Sequence, residues 1–505
     1  MFDLTGKSAI ITGSSKGIGK SIAMQMALHG AKVVISSRKA DVCKETADEI
    51  NADPKKFFGH ASGRIASTLF YEPSTRTRLS FESSMQRLGG GVISAWDVNA
   101  SSASKGESLA DTVRVVSSYS DIMIIRHPWE GAVKLAAEYS QVPVINAGDG
   151  KHEHPTQTLC DLYTLRERHG SLEGLNVAIC GDLSNGRTVH SLAFALARFG
   201  SNIIFVPGDG NDIPDYVLRR LERDYKAHIQ KEGLGILKAL FDSESPTETG
   251  SSINAIYVTP KEPHQLAMSS IEGNTVDFNI PEGESLSLYV TRRQTERGSI
   301  EIGKGNYPFL DEKALRSTSF KDVSILHPLP RVDEVSPEVD QDPRSLYFRQ
   351  AAVGIPIRMA LMLHLLGSGN VEGKTAKVTD SAQFSGVKYA RSDFVCSNKT
   401  CISNKETQFS KPAYEIVKDK QYKLRCLYCD FETICDLVGN IESKFFYSTE
   451  LLDRFLPTVL LENVRFFKSD QEAELAGFKK ASDRWNKLQW KTGGNSRDWI
   501  ETITE

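Results

Sequence analysis

From residue 65 to residue 366 the chain alternates short apolar runs with amphipathic stretches. That alternation is the pattern of parallel α/β sheets, and it constrains the fold more than any other feature. The runs at 92–96, 121–125, 142–148, 176–180, 202–206, 286–291 and 323–326 read as strands. In sheets of this kind, ligands bind beyond the carboxyl ends of the strands. Arg76, Arg126 and His154 each stand just past such an end, in three separate strand–helix units. Three polar groups at three strand ends are hard to explain as solvated surface.

The first of these ends is Tyr71-Glu72-Pro73-Ser74-Thr75-Arg76-Thr77-Arg78. Pro73 punctuates a turn, and Ser74 or Thr75 can cap a helix. Phe81, Met85 and Leu88 recur at i, i+4 and i+7, which predicts one buried helix face. Hydroxyls and guanidinium groups thus crowd a helix N-terminus, where free N–H groups and the helix dipole favour a phosphate. Ser101-Ser102-Ala103-Ser104-Lys105-Gly106-Glu107 is a polar loop before a helix carrying Leu109, Val113 and Val116. His154 precedes Pro155, a residue suited to the first turn of the next helix.

A chain of 505 residues implies roughly two to four domains. Its net charge of −3 gives no general attraction to nucleic acid. No apolar run is long enough to span a bilayer. The opening residues lack the basic-then-apolar order of a secretory signal. The expected compartment is the cytoplasm, with neither nucleic acid nor membrane as a partner.

Five of the eight cysteines cluster late in the chain. Cys396 and Cys401 form one pair and Cys426 and Cys429 another, separated by a spacer. This is the spacing of a four-cysteine tetrahedral zinc site, in which the metal replaces a missing core. Cys435 is left over as a buried thiol. Asp242-Ser243-Glu244-Ser245-Pro246-Thr247-Glu248-Thr249-Gly250 lies in a polar stretch, about 208–284, that reads as a loop or mobile insertion. Residues 439–505 read as a helical tail with Trp485, Trp490 and Trp499 in a partial core or interface.

Near the start, an apolar strand runs into Gly13-Ser14-Ser15-Lys16-Gly17-Ile18-Gly19, then a helix, then a second strand followed by Arg38. This βαβ unit resembles the opening of the short-chain dehydrogenase/reductase family, in which such an arginine suits NADP. That family needs a later Tyr-x-x-x-Lys, and the candidate weighed, Tyr414 to Lys418, lies between the two cysteine pairs, where it reads as chance. The segment therefore reads as a borrowed piece, with no redox cofactor expected.

Ser74-Thr75-Arg76-Thr77-Arg78, Lys105-Gly106-Glu107-Ser108-Leu109, Arg126-His127-Pro128 and His154-Pro155-Thr156-Gln157 together resemble the aspartate/ornithine carbamoyltransferases. Gly186-Arg187-Thr188-Val189-His190, Thr291-Arg292-Arg293-Gln294 and His327-Pro328-Leu329-Pro330-Arg331 extend the resemblance. It implies a carbamoyl phosphate site. There Ser74, Thr75, Arg76, Thr77 and Arg126 hold the phosphate. Thr77, Arg126 and His154 polarise the carbonyl, and Gln157 contacts the amide. Lys105, with Ser101 or Ser102, reaches into a neighbouring subunit, which implies a homotrimer or a multiple of one. Pro328, where ornithine enzymes carry a cysteine, implies L-aspartate as acceptor. Arg187, Arg292 and Gln294 would grip its carboxylates, while Pro328 and Leu329 offer backbone carbonyls. The cysteine segment resembles the zinc domain of the aspartate carbamoyltransferase regulatory chain.

The expected architecture is thus α/β: two parallel-sheet domains of the carbamoyltransferase fold plus a small four-cysteine zinc-binding β domain. The expected boundaries are a βαβ fragment at 1–58, a carbamoyl phosphate domain at 59–173, an aspartate domain at 174–368, a zinc domain at 371–438 and the tail. The expected reaction is carbamoyl transfer from carbamoyl phosphate to aspartate, a step of pyrimidine synthesis. The alternatives are an NADP-dependent oxidoreductase and a non-catalytic mosaic that assembles through its zinc module.

Overall fold

The computed structural model describes residues 7–12, 31–36, 58–95, 106–231, 253–259, 285–291, 310–316, 322–367, 388–390 and 394–481, apart from 185, 209, 333, 419–421 and 457–458. The described chain divides into two compact units, one of 1–128 and 136–379, the other of 129–135 and 380–505.

The first unit opens with β1 (Lys7–Thr12) and β2 (Ala31–Ser36), which pair in parallel. The glycine turn between them, Arg38 and Cys43 lie outside the described residues. A four-stranded parallel sheet follows, built from β3 (Ile65–Phe70), β4 (Gly91–Ala95), β5 (Ile122–His127) and β6 (Val144–Asp149). Its order is β4-β3-β5-β6. The connecting helices are α1 (Thr75–Arg87), α2 (Leu109–Ser117) and α3 (Ala132–Tyr139), whose first four residues are grouped with the second unit, and α4 (Pro155–His169) leaves β6. As the spacing predicts, Phe81, Met85 and Leu88 are fully buried. They pack with Phe70, Ile122, Ile124 and Ile145 of the sheet and with Met359, Met362 and Leu363. The latter three belong to the last helix of the unit.

A six-stranded parallel sheet comprises β7 (Asn176–Gly181), β8 (Asn202–Pro207), β9 (Ile229–Lys231), β10 (Ala255–Val258), β11 (Leu286–Val290) and β12 (Val323–Leu326). Helices α5 (Arg187–Arg198) and α6 (Asp215–Tyr225) follow β7 and β8, while α7 (Tyr347–Ala352) and α8 (Gly354–Leu365) close the unit. The order is β12-β11-β10-β7-β8-β9. Val177 and Ile179 face one apolar cluster, Ala178 and Cys180 the other. Both faces are covered, which is why these strands read as continuous apolar runs. Gly181, at φ +102°, ends β7 where an added Cβ would lie 2.5 Å from the Thr259 carbonyl oxygen, so no larger residue fits there.

The stretch 208–284 departs from the loop reading. It carries α6, β9 and β10, and β10 sits between β7 and β11 in the middle of the sheet. Ala255–Val258 is four residues long and lies within a Ser- and Gly-rich stretch, too short for a periodicity argument to find.

The second unit carries two four-stranded sheets. Antiparallel β13 (Lys388–Ala390), β14 (Ala413–Lys418), β15 (Tyr422–Cys426) and β16 (Glu432–Ile434) frame the cysteines. Glu130 belongs to this unit and accepts from the Asn398 amide and, at 3.1 Å, from the Thr400 hydroxyl. Tyr414 is buried, and its hydroxyl donates to the Phe394 carbonyl at 2.9 Å, a structural role rather than a redox one.

Among its described residues, 439–481, the tail is corrected from purely helical to mixed, with short helices such as Leu452–Phe455 and Asp470–Leu475 between short strands. Strands β17 (Leu437–Asn440), β18 (Phe445–Ser448), β19 (Val464–Phe467) and β20 (Lys479–Lys480) form a sheet around Phe446, Phe467 and Phe478. Strands this short leave little period-two signal. Trp485, Trp490 and Trp499 lie outside the described residues. Among the described residues no helix is long and apolar enough to cross a membrane.

Candidate active site and metal centre

In the first sheet β4 lies on one side of β3, with β5 and β6 on the other, so the strand order reverses between β3 and β5. A crevice at such a reversal is where open α/β sheets bind ligands. Phe70 is in register with Arg126, and the Tyr71 N–H donates to the Arg126 carbonyl at 2.8 Å. The chain then turns through Pro73 into α1, with Ser74 as N-cap residue. The Ser74 hydroxyl donates to Thr77 Oγ1 at 2.9 Å instead of capping the helix backbone. Thr75 and Arg76 are exposed in the first turn, and Thr77 is half-buried.

Arg126 is the penultimate residue of β5, inside the strand rather than beyond it, and is buried. Its Nη1 donates to the Ala147 carbonyl at 3.2 Å and lies 3.3 Å from His154 Nε2. Its Nη2 is 3.3 Å from Glu72 Oε1. A guanidinium has no acceptor, so in the hydrogen bond between them the imidazole nitrogen accepts. His154 is the N-cap residue of α4, and its backbone N–H donates to Ser191 Oγ at 3.1 Å. The arginine and histidine that the sequence places on separate strand ends therefore meet. Next to Arg126, His127 is buried, and that burial pushes its pKa down to about 3 despite the Asp149 carboxylate, which keeps this ring neutral.

Beyond β12, Pro328 and Leu329 are partly buried in a loop that begins at His327. The Leu329 N–H donates to His327 Nδ1 at 2.8 Å. That nitrogen must therefore be unprotonated, which leaves Nε2 to donate to Glu334 Oε1 at 2.7 Å. Burial works against charge on Glu334. The His327 hydrogen bond and the Val332 N–H outweigh it and hold the carboxyl below its ordinary range. Arg187 is the first residue of α5. Ser101, Ser102, Lys105, Arg292 and Gln294 lie outside the described residues.

Sequence reasoning missed Asp161. It stands one turn after Gln157 on α4 and is fully buried. Its Oδ1 accepts from Gln157 Nε2 at 2.9 Å, Gln350 Nε2 at 2.8 Å and the Tyr289 hydroxyl at 3.1 Å. Its Oδ2 has no hydrogen-bond partner among the described residues. Desolvation dominates over the three donors and pushes the Asp161 pKa up to about 7. The i, i+4 spacing of Gln157 and Asp161 was the available signal.

A raised carboxyl pKa has a definite sign. Between about 3.8 and about 7 the folded chain keeps a proton that the unfolded chain has lost. Stability therefore falls as pH rises through that window and is flat above it. Between pH 5 and pH 7 the wild type should lose about 2 kcal/mol that Asp161→Asn keeps. Urea midpoints of both proteins across this range check it, and parallel pH profiles would count against it.

The metal centre is built by two turns. Cys396 and Cys401 flank one, and Cys426 and Cys429 end β15 and its following turn. All four thiols are buried, and their sulfurs lie within 4.8 Å of one another. The Cys396–Cys429 and Cys401–Cys426 separations are 3.7 and 3.8 Å. A tetrahedron with metal–sulfur bonds of about 2.3 Å has edges of about 3.8 Å, so the cage fits a zinc-sized ion. The four thiols act on one another: hydrogen bonds from the other three shift Cys401 downward, while Cys426 and Cys429 are shifted upward as the donors to it. Cys435 stays outside the cage, buried, with burial pushing its thiol up to about 12.

Three family models match this chain. The carbamoyl-P binding domain of aspartate/ornithine carbamoyltransferase matches residues 34–167, and the Asp/Orn binding domain matches 289–365. The metal binding domain of the aspartate carbamoyltransferase regulatory chain matches 390–435. Aspartate carbamoyltransferase catalytic subunits of Clostridium botulinum (strain Okra) and Clostridium perfringens (strain 13) are each 44% identical over 326 residues, spanning 64% of this chain and 92% of theirs. The catalytic subunit of M. jannaschii aspartate transcarbamoylase, in an orthorhombic crystal form, is 36% identical, covers 71% of this chain and 98% of its own, and superposes with a TM-score of 0.47.

Proposed function

Because the chain belongs to the family of aspartate carbamoyltransferase catalytic subunits, we infer that it transfers the carbamoyl group of carbamoyl phosphate to the amine of L-aspartate. The observation that carries this reading is the meeting of Arg126 and His154 beside the N-terminus of α1. The aspartate amine attacks the carbamoyl carbon and a C–N bond forms. The carbonyl oxygen gains negative charge, the C–O bond to phosphorus breaks, and phosphate leaves with the proton that the amine sheds. The products are N-carbamoyl-L-aspartate and phosphate, which places the step in pyrimidine synthesis.

The reaction requires no covalent enzyme intermediate. It requires fixed positive charge at the phosphate and at the carbonyl oxygen, and two reactants held in contact. In this reading Ser74, Thr75, Arg76, Thr77 and Arg126 hold the phosphate. Thr77, Arg126 and His154 stabilise the developing oxyanion, and Gln157 accepts from the carbamoyl amide. Arg187, Arg292 and Gln294 bind the aspartate carboxylates, and the carbonyls of Pro328 and Leu329 receive its amine. Lys105, with Ser101 or Ser102, serves the site of a neighbouring copy, so the working state is a homotrimer or a multiple of it. The metal is zinc with a structural role, and the enzyme works in the cytoplasm.

The deciding experiment is a carbamoyl-aspartate assay on the purified full chain, paired with a mass measurement by light scattering. Turnover should accompany the trimeric fraction. A monomer with full activity would remove the shared-site role of Lys105, and no product from any fraction would remove the reaction.

A further inference from the structure

Behind the two substrate subsites runs a buried row of hydrogen bonds that the transfer chemistry itself does not use. Gln157 and Gln350 both donate through Nε2 to Asp161 Oδ1, at 2.9 and 2.8 Å. Gln350 Oε1 in turn accepts the His327 backbone N–H at 2.9 Å. His327 Nδ1 then accepts the Leu329 N–H at 2.8 Å, and Glu334 fixes the other side of the ring. Asp161, Gln350, His327 and Glu334 are all buried. The path is unbroken, and it joins α4, α7 and the loop after β12 within one compact unit.

We propose that Asp161 and Gln350 are positioning residues that couple the Gln157 amide to the Pro328–Leu329 carbonyl loop, and so register the carbamoyl subsite against the aspartate subsite. The proposal rests on the carbamoyl-transfer reading above. Its physical basis is the polarity of the row. A carboxamide has two faces, a donor and an acceptor, and burial makes the wrong face costly. Asp161 takes the Nε2 of Gln157, which leaves Oε1 as that amide's acceptor, the right sign for a carbamoyl NH2. Asp161 also takes the Nε2 of Gln350, which leaves its Oε1 for the His327 N–H. A flip of either amide would set donor against donor, so the row holds one orientation throughout.

Gln350→Met in the full chain keeps the side-chain length and removes both hydrogen bonds. The aspartate KM is expected to rise about tenfold while kcat falls no more than about threefold, the split expected of a residue that aligns a subsite without touching substrate. Gln350→Glu supplies the rescue. A protonated glutamic acid can donate to Asp161 while its carbonyl oxygen accepts the His327 N–H. The other ionisable groups around it include Tyr289, packed on Asp161, Tyr257, stacked on Tyr289 at 4.2 Å, the His327–Glu334 pair, and the buried Cys160, which feels both Asp161 and the Arg358 guanidinium. Measured against wild type at the same pH, the aspartate KM of this variant should be near normal at pH 5.5 and about tenfold raised at pH 8.5. A merely structural role would lower stability without giving KM that pH dependence, and the rescue variant decides the matter where the methionine variant does not fold. An active wild type with KM within twofold in the variants overturns the proposal alone. An inactive wild type overturns the transfer reading, and the proposal with it.

Discussion

Arg126→Ala is expected to lower kcat for carbamoyl-aspartate formation by about a thousandfold, the largest effect of any single change in the described site. The guanidinium is held on three sides, by the Ala147 carbonyl, His154 Nε2 and Glu72 Oε1. It cannot turn away, so it meets developing charge without reorganising. Removing one oxyanion donor costs about 10²–10³ in rate, and in the proposed reaction the same group would also neutralise phosphate. Its loss leaves the Glu72 carboxylate beside the site, a charge of the wrong sign. Arg126→Lys should recover only about tenfold, because an ammonium cannot reproduce the planar fork. Steady-state rates at saturating substrates measure both. An alanine variant within tenfold of wild type would move the oxyanion elsewhere.

Removing the metal should unfold its module outright. The four sulfurs form a cage that fits a metal ion, and among the described residues the other apolar side chains buried in 394–435 are Phe394, Ile402, Tyr414, Tyr422, Leu424 and Tyr428. Structural zinc contributes on the order of 10 kcal/mol in sites of this type, more than such a core could replace. Cys401→Ser, or a strong chelator, should abolish bound zinc and open residues 394–435 to proteolysis. Metal analysis and mass mapping of the cleavage products check this. A purified chain without metal that resists the protease would show that thiols and packing suffice.

What the sequence revealed followed from periodicity and from spacing. Phe81, Met85 and Leu88 are buried at the predicted helical interval. The four cysteines converge because paired turns place sulfurs at a fixed pitch. Arg126 and His154 could be read as neighbours because parallel sheets align their strand ends. The buried supports were not legible. Gln350 lies in Phe348-Arg349-Gln350, a stretch whose polar face reads as solvated until α7 is seen packed. Nothing local to Asp161 tells that Tyr289 will cover it. β10 escaped because its partners, β7 and β11, are supplied by distant sequence.

The packing of α1 against α8 sets an order of events during synthesis. The Ser84 hydroxyl donates to the Ile355 carbonyl across 271 residues, and Met359 and Met362 complete the cluster around Phe81. A nascent chain therefore carries α1 with its apolar face uncovered until α8 has left the ribosome. At about 5–20 residues per second that wait lasts on the order of half a minute. Chaperone dependence should accordingly concentrate on α1, and a premature stop before residue 354 should yield an aggregating fragment rather than a smaller working domain.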